Sequence, residues 1–129
     1  KIASGGELSR VMLALKSVIA EKDNIPTMIF DEIDTGVSGR AAQKIGIKLS
    51  EIGKIRQVLC VTHLAQIAVM ADNHLLIKKE TAEDRTVTDV VKLDFEGRAK
   101  EVARIMSGDD PSELTMQSAR EQLTLNKRK

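Results

Sequence analysis

Thr27-Met28-Ile29-Phe30-Asp31-Glu32 is an apolar run that stops at two adjacent carboxylates. Residues 25–30 are short and apolar, with Asn24 and Pro26 at their start, and this predicts a buried strand of a parallel sheet rather than a helix. Asp31 and Glu32 then fall at its carboxyl end. In open α/β sheets that end faces the ligand crevice, so two acids there suggest a hydrated Mg²⁺ and a general base beside a phosphate. Asp-Glu after a strand also serves as a plain turn or helix cap, and these six residues alone do not separate the two readings.

Composition narrows the options. The 129 residues, 42% of them hydrophobic, suffice for one domain with a real core. That core is aliphatic: with two Phe and no Trp or Tyr, stacking of bases on aromatic rings is excluded as a nucleic-acid mechanism, and any DNA contact goes through charge. Twenty basic residues against nineteen acidic give a net charge of +1, which argues against a strongly basic surface over the chain as a whole. Cys60 is the single cysteine and lies inside Val58-Leu59-Cys60-Val61, so it predicts a buried inert thiol and fits a reducing cytosol. No segment reaches transmembrane length and the N-terminus carries no signal-peptide pattern, so the chain reads as soluble and intracellular, without a membrane partner.

Along the chain, Ser4 with Glu7 three residues later forms a capping-box pattern. Leu8, Val11, Met12, Leu15, Val18 and Ile19 follow at helical spacing and predict a helix of about four turns. Gly5 and Gly6 remove side chains at its first turn, where unpaired amides and the positive dipole end let a phosphate come close; as a bare pattern, Ser-Gly-Gly-Glu is most often an ordinary cap. After the acidic strand, residues 33–39 make a glycine-containing loop into a helix with Ala42, Ile45, Leu49 and Ile52 on one face and Gly53 at its end. Residues 57–62 predict a second buried strand. Residues 27–62 thus form a βαβ unit, and His63 emerges on the same edge as Asp31 and Glu32.

A short helix at 64–71 leads to strands at 74–79 and 87–93, joined by the polar segment 80–85. These predict an antiparallel hairpin extending the sheet, with Lys78, Lys79 and Lys92 as solvated edge lysines. A helix over 97–106 stops at Gly108. In the next, Asp110 is the expected N-cap acid, Pro111 the first-turn proline, Glu113 the third-position acid, and Met116, Ala119 and Leu123 the apolar stripe. Lys127-Arg128-Lys129 ends the chain as a basic tail.

A glycine-rich helix start, an acidic strand end and a histidine at the next strand end now stand in one order. Together they resemble the C-terminal half of an ABC-type ATPase head, with Ser4-Gly5-Gly6-Glu7 as signature motif, Ile29-Phe30-Asp31-Glu32 as Walker B and His63 as switch histidine. The wider wording, residues 1–10, 30–39 and 61–68, resembles the SMC-like ATPases of bacterial DNA repair and recombination, which carry a long coiled coil and belong to the DNA-damage (SOS) response. The resemblance implies an α/β fold: the C-terminal part of a P-loop ABC-type head, with a parallel βαβ core extended by an antiparallel hairpin and two C-terminal helices. Residues 1–123 would be that lobe and residues 124–129 a disordered tail.

By the same resemblance Asp31 helps hold Mg²⁺, Glu32 positions or deprotonates the attacking water, His63 senses the γ-phosphate of ATP, and Asp34 and Ser38 line the nucleotide site. Ser4, Gly5, Gly6 and Glu7 would act on ATP held by a second copy of the head, because the helix start is expected to lie far from its own subunit's nucleotide. A homodimer, DNA as partner of the intact protein, and a cytoplasmic, nucleoid-associated setting follow.

Two departures stand out. Ser38 replaces the aspartate that many ABC heads carry in the loop after Walker B, and no Gly-x-x-x-x-Gly-Lys-Ser/Thr phosphate loop occurs anywhere, so this chain is expected to be one inactive half of a longer ATPase. Three alternatives remain. A transporter ATP-binding subunit shares all three motifs but usually has proline where Ile33 stands. A non-hydrolysing assembly head is opposed by the retained Glu32. A phospho-acceptor signalling domain lacks an acceptor aspartate at a strand end.

Overall fold

Ser4 and Glu7 close the first helix reciprocally: the Ser4 amide donates to the Glu7 carboxylate at 2.8 Å and the Glu7 amide donates to the Ser4 hydroxyl at 3.3 Å. The computed structural model describes residues 4–19, 22, 24–82 and 85–126. They fall in two compact units, Lys1–Met70 and Ala71–Lys129.

The first unit runs α1 (Gly5–Ile19), β1 (Thr27–Phe30), α2 (Gly39–Gly53), β2 (Gln57–Cys60) and α3 (Ala65–Ala68). As the sequence predicts, β1 and β2 pair in parallel, from Thr27 opposite Gln57 to Phe30 opposite Cys60. The predicted α2 stripe is buried, and Ala42, Ile45, Leu49 and Ile52 form one cluster with Leu13, Met28, Phe30, Ile33 and Ile67. The strand is covered on one face only. A period of two sends Met28 and Phe30 inward and leaves Ile29 71% exposed, so the expectation of a strand buried on both faces is corrected.

α1 departs further. Its six predicted stripe residues are exposed, between 43% for Ile19 and 84% for Val18. At 100° per residue the opposite face carries Gly6, Ser9, Arg10, Leu13 and Ser17, and that face is turned inward. Hydrogen bonds explain the choice: Ser9 Oγ donates to the Asp31 carbonyl at 2.8 Å, and Arg10 donates to the carbonyls of Ile33 at 3.3 Å and Thr35 at 2.8 Å.

In the second unit, β3 (Leu75–Ala82) and β4 (Arg85–Lys92) form an antiparallel ladder from Leu75 opposite Lys92 to Ala82 opposite Arg85. The ladder takes in residues 80–82, which the sequence reading gave to the connection. Among the described residues it is a two-stranded sheet of its own, rather than the expected extension of the parallel pair. Lys78, Lys79 and Lys92 are exposed, as expected of edge lysines.

α4 (Phe95–Ser107) begins two residues before the expected Gly97, because the Asp94 carboxylate accepts from the Gly97 amide at 2.8 Å and caps the helix. It ends at Gly108, whose φ of 95° suits glycine. α5 (Glu113–Asn126) is capped by Ser112, which accepts from the Thr115 amide at 3.2 Å, not by Asp110. It continues past Leu123, so residues 124–126 are helical and the expected boundary moves; residues 127–129 lie outside the described residues. Ala99, Val102 and Ala103 of α4 and Ala119 and Leu123 of α5 are buried, and Arg120 bridges the helices to Glu96 at 3.0 Å.

At Gly46 the α3 segment packs closely against α2. A Cβ there would stand 3.0 Å from Met70 Cγ and 3.1 Å from the Gln66 carbonyl, which is backbone and cannot swing aside. Gly46→Val is therefore expected to destabilise the chain by about 1–3 kcal/mol despite the removal of a helical glycine. The urea midpoint reads this directly: an unchanged value would show that α3 yields freely.

Candidate functional site

The parallel register carries the chain out of both strands side by side. The Val61 amide donates to the Phe30 carbonyl at 3.0 Å, one rung beyond the last strand pair, so Asp31 and His63 leave the same edge. Asp31 is exposed, and one of its oxygens accepts from the Glu32 amide at 2.8 Å. Glu32 is exposed too and holds a φ of 56°, the left-handed region that costs a side chain about 1–2 kcal/mol. Backbone strain of this kind, retained at a strand's carboxyl end, marks a place held by its surroundings.

Those surroundings come from α1. The Glu32 carbonyl lies 2.7 Å from where a Gly6 Cβ would be, and the Glu32 carboxylate fills the space that a Gly5 Cβ would need. The helix start therefore sits against Glu32 of its own chain. Glu7 does not reach the acids; its carboxylate is committed to the cap, and the hydrogen bond from the Ser4 amide holds it below the usual carboxylate range.

Asp34 is buried, at 3% exposed, where the sequence reading placed it lining a nucleotide. One oxygen, Oδ2, accepts from Thr62 Oγ1 at 2.6 Å and from the His63 amide at 2.9 Å, and lies 3.1 Å from His63 Nδ1. The imidazole itself is 75% exposed. Ser38 stands at the N-cap of α2 with no capping bond from its side chain. Among the described residues no hydrogen bond joins His63 to Asp31 or Glu32, so the structure gathers Gly5 and Gly6 with Glu32, and Asp34 with His63, as two groups. Ser9 and Arg10, which tie α1 to residues 31–35, escaped the sequence reading. Their spacing from Gly6, three and four residues, was the available signal.

Cys60, expected to be buried, is only partly buried at the same edge. Burial, reinforced by Asp34 and Asp31, pushes its thiol up to about 11. Among the described residues no group of three or more His, Cys, Asp or Glu is placed to hold a metal. An exposed Asp31 with one oxygen still uncommitted nevertheless fits Mg²⁺, which keeps several waters and takes one or two carboxylates beside substrate phosphates.

No family model matches the chain. It is 49% identical to the DNA repair protein RecN of Bacillus subtilis (strain 168) over 123 residues, covering 95% of this chain and 21% of that protein. The RecN proteins of Treponema pallidum (strain Nichols) and Vibrio cholerae serotype O1 are 47% and 45% identical, each over 95% of this chain and 22% of the relative. By sequence this chain is similar to RecN proteins over nearly its whole length. It spans about a fifth of the length of the curated relatives it matches. Its fold is similar to a chain solved in work on ATP-driven dimerization and DNA-stimulated activation of SMC ATPases, with a TM-score of 0.58 and 25% identity, over 81% of this chain and 63% of that one. The mixed α/β architecture of this chain is thus similar to that of an SMC ATPase structure.

Two outcomes are expected. Gly6→Ala, which drives a Cβ against backbone, should lower stability by about 1–3 kcal/mol, while Gly5→Ala, which meets only the movable end of Glu32, should cost far less. Equal unfolding midpoints for the two variants would contradict the packing described. Cys60 should react with iodoacetamide at pH 8 about a hundredfold more slowly than a free thiol, because a value near 11 leaves so little thiolate; alkylation at the free-thiol rate would contradict its burial.

Proposed function

We propose that this chain is the C-terminal lobe of the ATPase head of an SMC-like protein acting in DNA double-strand break repair and recombination. The observation that carries the reading is the identity with RecN proteins across nearly the whole chain, joined to Asp31, Glu32 and His63 leaving one sheet edge. A transporter subunit, the rival with the same motifs, gains nothing from those relatives.

In this reading Mg²⁺ bound with ATP supplies positive charge against the phosphates. Asp31 holds it through water with the oxygen its neighbour's amide leaves uncommitted. Glu32 orients and deprotonates the attacking water, and the exposed ring of His63 meets the γ-phosphate. Ser4, Gly5 and Gly6 offer the start of α1 to ATP held by a second copy of the head, which requires the Glu32 carboxylate to swing away from Gly5. Ser38, at the N-cap of α2, is the further residue assigned to that nucleotide site in this reading. The ATP phosphates need a phosphate loop, and these 129 residues contain none, so the chain alone is inactive. DNA is the partner of the longer protein. No helix among the described residues is long and apolar enough to cross a membrane, and the proposed setting is the cytoplasm, at the nucleoid.

Glu32→Gln tests the reading in the longer protein. ATP binding should persist while turnover falls by about 10²–10⁴-fold, since the amide keeps the shape and cannot take a proton. Undiminished turnover would remove Glu32 from catalysis and favour a head that binds only to assemble.

A further inference from the structure

Asp34 is a buried carboxylate beside an exposed imidazole, and that contrast calls for an explanation. A charge with 4% of its side chain exposed persists only where hydrogen bonds replace water, and Asp34 has Thr62 Oγ1 and the His63 amide for that purpose. The third contact, 3.1 Å to His63 Nδ1, is not needed to satisfy the acid, whereas the ring depends on it. With three-quarters of its surface in water, the imidazole has no packing to fix its torsions, and the terminal torsion of histidine is broad.

We infer that Asp34 is a positioning residue for His63. With Asp34 Oδ2 3.1 Å from Nδ1, a proton on Nδ1 faces the carboxylate's negative charge, which favours that neutral tautomer and that ring orientation and leaves Nε2 as the nitrogen directed away from the protein. Any proton the ring gains then arrives on Nε2, with the compensating negative charge fixed behind it. Thr62 braces the arrangement from below: its hydroxyl donates to Asp34 and accepts from the Leu64 amide at 3.1 Å, linking the acid to the turn that opens α3. Asp34 thus acts through His63 rather than on a nucleotide. The importance of the arrangement rests on the role proposed for His63, but its existence does not.

The chain contains two histidines, so the full chain labelled with ¹⁵N-histidine gives a readable long-range ¹H–¹⁵N spectrum, with His74 as internal reference. At alkaline pH, where the rings are neutral, His63 should show Nδ1 at the protonated and Nε2 at the unprotonated position. Asp34→Asn should move the ratio toward the Nε2–H form that free imidazole side chains prefer. Thr62→Val, which removes a brace of the loop and leaves the carboxylate in place, should not. A wild-type His63 in the Nε2–H form would overturn the inference even if Asp34→Asn failed to fold, and so would a ratio unmoved in a folded Asp34→Asn. The measurement involves no ATP, so its failure and the failure of the ATPase reading, tested by Glu32→Gln, are separate results.

Discussion

Phe30 and Cys60 face each other on the last rung of a parallel ladder, and the Val61 amide adds one bond beyond it. Every placement in the first unit descends from that register. A shift of one residue would turn Met28 and Phe30 away from α2 and bring Ile29 and the strand's polar end inward, exchanging a packed face for an unpacked one. Because the ladder cannot slip without that loss, the residues leaving β1 and β2 emerge in fixed alignment. Asp34 can therefore collect three contacts from Thr62 and His63, although these lie almost thirty positions away along the chain.

The segment between the strands is held from the other side by α1, and here polar contacts override hydrophobic patterning. Two side chains, Ser9 and Arg10, reach three carbonyls of residues 31–35, and a helix that donates such bonds cannot also turn Leu8, Met12 and Leu15 toward the same core. Each such bond contributes about 0.5–1.5 kcal/mol net, and together they fix the direction in which α1 faces. The α1 stripe is left as an apolar surface on the outside of the unit.

This explains which parts of the chain were legible in the sequence. α2 was, because its buried residues recur at helical spacing and compete with nothing. The parallel pair and the reciprocal Ser4–Glu7 cap were legible for the same reason: local pattern and three-dimensional role agree. Periodicity found the stripe on α1 but not its direction, since a stripe records where apolar residues lie and not which face the hydrogen bonds choose. The cap of α5 was misread because Asp110, Ser112 and Glu113 all suit a helix start, and only the Ser112 hydroxyl engages a first-turn amide. Asp31 and Glu32 were visible as an abrupt change from apolar to acidic. The burial of Asp34 was not, because a third acid two residues on looks equally solvated until the second strand delivers its donors.

Glu32 sits in a backbone conformation that glycine adopts freely and most side chains avoid. A sequence optimised for thermal endurance alone would drift at this position toward glycine or asparagine, and would lose its carboxylate in the process. The same pressure would meet no resistance from packing, since the side chain is exposed and its displacement leaves no cavity. Variants of this chain selected on melting temperature alone would therefore drift away from a carboxylate at position 32, the residue given the catalytic role in the proposed function, and that is where an engineer should hold the sequence fixed.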